Sequence, residues 1–116
     1  MENRRKTKVP NGMDPAFIND LSTDVIIGII CKWYNIIPQD MPGNGHKRPY
    51  ADARHMIVYF LSLKDELSLK AIGILTGNRS HASVINSRNN IENWMETNSA
   101  FARDIESLFE ILRLKL

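Results

Sequence analysis

The stretch SLKAIGILTGNRSHASVINSRNNI, residues 68–91, decides how this chain folds. Ser68 stands where an N-cap belongs, because its hydroxyl can accept from a free amide in the first turn of a helix. Behind it Leu69, Ile72 and Leu75 recur at helical spacing and predict a short helix to Leu75 with one apolar face. Gly73, which has no side chain, allows a second helix to cross closely. Gly77 supplies a turn conformation that other residues resist. Ser80 can then cap a longer helix that buries Val84, Ile85, Ile91, Trp94 and Met95. A short helix, a glycine-marked turn and a longer helix opening on small polar residues make a helix-turn-helix. In that arrangement the second helix enters the major groove of DNA.

Outward from this unit no strand-like alternation persists and no repeat is visible. Residues 1–16 carry Pro10, Gly12 and Pro15 with few large apolar side chains, and read as a flexible basic arm; residues 17–116 read as one domain. Ser22 or Thr23 can cap a first helix whose stripe is Ile26, Ile29, Ile30 and Trp33, with Pro38 ending that unit. Residues 42–49, PGNGHKRP, are a loop by every local signal. A second helix is predicted from about Asp52 to Glu66, with Met56, Ile57, Tyr59, Phe60 and Leu63 on its apolar face. Ser99 starts a last helix carrying Ile105, Leu108, Phe109 and Leu112 on one side. The fold class is all-α, a small helical bundle containing a helix-turn-helix.

At 116 residues the chain is one domain by size, with 43% hydrophobic and 24% charged residues, ordinary for a soluble protein. Cys31 is its single cysteine, which precludes an intrachain disulfide and makes a reducing cytoplasm the simplest setting. The longest apolar run is too short to span a bilayer, and the basic N-terminus lacks the apolar stretch of a secretory signal. The net charge of +2 is unevenly spread. Arg4, Arg5, Lys6 and Lys8 stand against Glu2 at the start, and Lys47, Arg48, Arg54, Lys64, Lys70, Arg79 and Arg88 stand against three acids within residues 41–90. Residues 9–40 and 91–116 are net acidic. Positive charge around the helix-turn-helix is either the footprint of a polyanionic partner or a solvated basic face.

Catalysis and cofactors find no support. Gly43-Asn44-Gly45-His46-Lys47 has neither the spacing of a phosphate-binding loop nor a preceding strand. Cys31, His46, His55 and His81 are scattered without the paired spacing of zinc ligands. Asp65 and Glu66 fall at a helix end where solvation is their role, and Cys31 among isoleucines reads as a small hydrophobe. Trp33 and Trp94 fall on apolar stripes and read as core anchors. No enzyme, cofactor, metal, small-molecule substrate or membrane partner is expected.

An ordered set of residues carries a resemblance. Leu21-Ser22-Thr23-Asp24 is followed by Trp33-Tyr34-Asn35-Ile36, the basic loop and Arg54-His55-Met56, then by Leu67-Ser68-Leu69, Ile72-Gly73 and Ile91. Between them runs Gly77-Asn78-Arg79-Ser80-His81-Ala82-Ser83-Val84, close to the signature Gly-x-Arg-Asp-His-[Ser/Thr]-[Ser/Thr]-Val. Over residues 20–114 the chain resembles the C-terminal, double-stranded-DNA-binding domain of the bacterial chromosomal replication initiators, the DnaA family. The initiator's ATPase is not in this sequence, so a stand-alone module is the expectation.

The resemblance implies that Arg79, His81 and their neighbours Ser80, Ala82 and Ser83 meet base edges. Bottom-up chemistry agrees: Arg79 at the helix entrance can grip guanine O6 and N7 or touch a phosphate, and Ser83 can serve either. Lys47, Arg48, Arg54, Ser68, Lys70 and Arg88 are expected at the DNA backbone or minor groove. Arg4 to Lys8 would hold neighbouring phosphates or probe the minor groove. Departures from the family bear on specificity. Ser80 replaces an aspartate, Ala82 a hydroxyl residue, and Asn89 and Asn90 often-basic positions, while Asp52 falls where the initiator places a minor-groove arginine. Sequence-specific binding of double-stranded DNA in replication initiation or its regulation is the leading expectation. The alternative is a protein-interaction module of the same fold that binds a replication or regulatory partner with little specific DNA affinity.

Overall fold

A computed structural model of the chain describes residues 6–41 and 47–116. Over these the protein is all-helical: a 3-10 turn at Pro15–Asp20, α1 (Thr23–Trp33), a second 3-10 turn at Pro38–Asp40, α2 (Tyr50–Leu61), α3 (Leu69–Leu75), α4 (His81–Thr97) and α5 (Ser99–Arg113). Residues 42–46 of the expected loop, and Arg4 and Arg5, lie outside the described residues.

The core forms around α2, whose residues from Ala53 to Leu61 are buried except for the half-buried His55. Such all-round burial requires other helices on every side, and α1, α4 and α5 provide them. Ile26, Ile30 and Cys31 of α1, Val84 and Ile91 of α4, and Ile105, Leu108, Phe109 and Leu112 of α5 meet Met56, Ile57, Tyr59 and Phe60 in one cluster. Phe60 stands edge-on to Phe109 at 4.9 Å between ring centroids, a geometry aromatic pairs prefer.

Local signals mark most helix starts. Ser22, Ser68 and Ser80 each accept the backbone N–H three residues on, and Asn98 does the same for α5, at 3.0–3.2 Å. The ends of α1 and α2 depart from expectation. α1 stops at Trp33, well before Pro38, because Asn35 takes the left-handed conformation (φ 57) and Ile36 N–H reaches back to the Cys31 carbonyl. The stop leaves Trp33 38% exposed, which corrects its reading as a core anchor. Trp94 is half-buried against Phe101 and the core. α2 ends at Leu61 rather than Glu66, and Lys64 just beyond it is buried. Its ammonium binds the carbonyls of Ile18, Asn19 and Leu21, closing the first 3-10 turn onto α2.

The segment expected as a flexible arm is corrected over its described part. Thr7 and Pro10 are buried; Thr7 Oγ1 lies 3.0 Å from Ser62 Oγ, the Lys8 carbonyl accepts from Tyr59 Oη at 2.7 Å, and Lys8 N–H donates to Glu92 at 2.7 Å. Lys8 also pairs with Glu96, so its charge is partly matched at the surface.

The turn between α3 and α4 follows the sequence closely. Gly77 (φ +102) and Asn78 (φ 58) both take left-handed conformations. Arg79 N–H then donates to the Gly73 carbonyl at 2.9 Å. A Cβ on Gly73 would run into the Arg79 carbonyl oxygen, so only glycine permits this approach. Leu75, expected on the apolar face of α3, is 41% exposed; the short helix buries Leu69, Ile72 and Gly73. Gly73→Ala is expected to cost about 1–3 kcal/mol through forced displacement of the turn, measured by urea unfolding. A variant as stable as the parent would show that the turn can move aside freely.

Candidate nucleic-acid interface

The start of α4 is built from local rules. Ser80 Oγ accepts from Ser83 N–H at 3.2 Å and lies 3.3 Å from Ser83 Oγ, so the cap and the first turn hold each other. Helix geometry aims the first amides of α4 outward, and the helix dipole favours an anion there. His81 and Ala82 are exposed, while Arg79 and Ser83 are half-buried. The five residues expected at base edges are therefore brought together at one exposed helix entrance.

Beneath this entrance α2 adds charge. Burial pushes the Arg54 guanidinium below its ordinary value, and the positive charge of Arg79 adds to the shift. Two guanidiniums from separate elements, α2 and the turn before α4, thus lie within electrostatic reach of each other. His55, next along α2, sits 2.8 Å from Ser87 Oγ through Nδ1 and edge-on to Trp94. Burial drives its imidazole below the ordinary value; Asp52 pulls upward, and Arg54 and Arg79 push further down.

The remaining expected contacts separate into two groups. Lys47, Arg48, Ser68 and Lys70 are exposed, and the Ser68 hydroxyl, though its oxygen caps α3, keeps a proton to donate. Arg54 and Arg88 are each only 5% exposed. Arg88 falls on the inner side of α4 with Val84, Ser87 and Ile91, which corrects its reading as a backbone contact. Arg54 is similarly buried, and that burial is the main cause of its lowered pKa. Asp52 is half-buried and lines a cleft of about 310 Å³ with Arg48, Trp94, Asn98 and Phe101. There its carboxylate shares a wall with Arg48.

Two residues of one surface face, Asn86 and Asn93, had no role in the sequence reading. Opposite the buried face of α4 lie Ala82, Asn86, Asn89, Asn90 and Asn93, all exposed and all uncharged. Extending the helical period from Ser80 would have found this face. Among the described residues no cluster of His, Cys, Asp and Glu could hold a metal ion, and no helix is long and apolar enough to cross a membrane.

Comparison with known proteins places the geometry. The family described as the bacterial dnaA protein helix-turn-helix matches residues 23–91. The chromosomal replication initiator protein DnaA of Wolbachia pipientis wMel is 33% identical over 84 residues, covering 72% of this chain and 18% of the relative. That of Chlorobaculum tepidum is 30% identical over 88 residues, 76% of this chain and 18% of the relative. That of Bacteroides fragilis is 25% identical over 93 residues, 80% of this chain and 20% of the relative. The chain spans about a fifth of the length of these curated relatives.

The lowered imidazole of His55 carries a stability prediction. A histidine that resists protonation when folded binds more protons when unfolded, so stability rises with pH across its titration. Stability is therefore expected to fall as pH drops below the ordinary imidazole value of 6.5, and less steeply in His55→Gln. Urea unfolding at pH 7.5, 6.5 and 5.5 reads this. Equal slopes in parent and variant would remove His55 as the source.

Proposed function

The chain belongs to the bacterial DnaA helix-turn-helix family, and from that premise we propose that it binds double-stranded DNA sequence-specifically through α4. The N-terminal turn of α4 enters the major groove, with Arg79, Ser80, His81, Ala82 and Ser83 at base edges. Lys47, Arg48, Ser68 and Lys70 meet phosphates on either side. The proposed setting is the cytoplasm, and the proposed process is replication initiation or its regulation, since the relatives are chromosomal replication initiator proteins. The observation that carries this reading is the exposed, Ser80-capped entrance of α4 with Arg79 locked beside it and Arg54 behind. The free amides and the dipole at an open helix start favour an anion, and the small side chains of Ser80, Ala82 and Ser83 let the helix approach closely.

The protein-interaction alternative has its own observation. A cleft of about 480 Å³ is lined by Ile29, Lys32, Trp33, Ile111 and Lys115, with Trp33 substantially exposed. It is lined by none of the residues assigned to DNA.

Selection from random duplexes, followed by fluorescence anisotropy of the enriched duplex against a shuffled one at two salt concentrations, tests the proposal. Preference that persists at higher salt supports base reading; equal binding that vanishes with salt leaves only phosphate attraction and favours the alternative. Arg79→Ala is expected to weaken binding by about 1–3 kcal/mol and relax the selected sequence. Lys70→Ala is expected to weaken all duplexes alike and flatten the salt dependence. Unchanged selection by Arg79→Ala would overturn the assignment of α4 as the reader.

A further inference from the structure

We propose that Asn86 is a further base-reading residue and gives the protein a preference for adenine, one step along the groove from the bases met by residues 79–83. The inference rests on α4 being the helix that enters the groove. On that helix Val84, Ser87, Arg88, Ile91 and Glu92 are turned inward, and the opposite face is exposed. Its basic residue, Arg88, is on the buried side, so past residue 83 the outward face has no cation to offer a phosphate. A neutral face gains nothing from counterion release; its amides can hydrogen-bond phosphate oxygens at the groove edge or base edges within it, and an amide held inside the groove meets the bases.

Position along the helix singles out one asparagine. Asn86 lies four residues beyond Ala82, on the same face and about 6 Å further along the axis. Groove-reading helices place their base contacts at this kind of spacing, within two turns of the first. Asn90 is about 12 Å from Ala82 along the axis, comparable to the full width of the major groove, and therefore reaches its rim. Asn93 lies beyond it. Asn89 is engaged within the protein, its Oδ1 accepting from Arg88 Nη2 at 3.5 Å.

The carboxamide chemistry then selects the base. A side-chain amide offers one acceptor and one donor in a plane, matching the N6 amino group and N7 of adenine. Guanine presents two acceptors at the same edge and can satisfy only half of the amide.

Parallel selections from random duplexes with the parent chain, Asn86→Ala, Asn90→Ala and Arg79→Ala test this. The parent is expected to enrich an adenine next to the positions governed by Arg79. Replacing that adenine with 7-deazaadenine, or its pair with G·C, should weaken parent binding roughly 5- to 150-fold, as for one bidentate contact. Asn86→Ala should lose that discrimination while keeping the Arg79-governed positions, and Asn90→Ala should keep both. Identical enriched sequences for the parent and Asn86→Ala would overturn the proposal while leaving groove entry by α4 intact. Failure of the parent to enrich any sequence, or an unchanged sequence with Arg79→Ala, would overturn both.

Discussion

The hydrogen bond from Arg79 N–H to the Gly73 carbonyl, 2.9 Å long, joins the two helices of the reading unit backbone to backbone. Contact at that distance leaves no room for a side chain on Gly73, and the left-handed pair Gly77 and Asn78 is what returns the chain to it. Everything at the α4 entrance inherits its position from this closure. Arg79 is held at the turn, Ser80 is delivered in the extended conformation that a cap requires, and α4 leaves in a fixed direction. The backbone of Arg79 is fixed by the fold, so only its side chain would have to be ordered on binding, which would lower the entropic cost of recognition.

The second organising element is α2, which is buried on nearly all sides and secures the irregular segments with polar side chains. Tyr59 holds the strap at Lys8, Ser62 meets Thr7, and Lys64 gathers three carbonyls at the first 3-10 turn. Burial pushes the Tyr59 phenol well above its ordinary range, with Glu92 adding to the effect, so it stays a neutral donor throughout the physiological range. These anchors also redistribute charge. The basic cluster seen in the sequence over residues 41–90 includes Lys64, Arg54 and Arg88, all buried. The surface cations that remain are fewer and lie close to the turn, the loop before α2 and the start of α3.

That redistribution explains where sequence reasoning succeeded and where it did not. Helix starts and the turn were legible because a serine cap or a left-handed glycine acts over three or four residues. The core faces of α2 and α5 were legible because Met56, Ile57, Phe60, Ile105, Leu108 and Leu112 keep the helical period. The end of α1 was placed late because Asn35, a weaker signal than Pro38, stopped it first. The strap at Thr7 and Pro10 was missed because its anchors, Ser62, Tyr59 and Glu92, lie 55, 51 and 84 residues away along the chain from their partners. The inward turn of Arg88 was open to a count along the helix: four residues after Val84 and three before Ile91, it shares their side.

The same count exposes a division of labour on the reading unit. Cations in the loop before α2 and on α3 sit where phosphates would flank a helix in the groove, while Arg79 at the turn is the one cation proposed to read a base. The outward face of α4 beyond its first turn is neutral and amide-rich. Electrostatic attraction falls off with salt and is blind to sequence, while amide-to-base hydrogen bonds are insensitive to salt and depend on which base is presented. Placing the two on different elements lets binding strength and target choice vary independently. With α4 in the groove as proposed, substitutions along its exposed face would retune the sequence that is read without disturbing the Gly73–Arg79 closure.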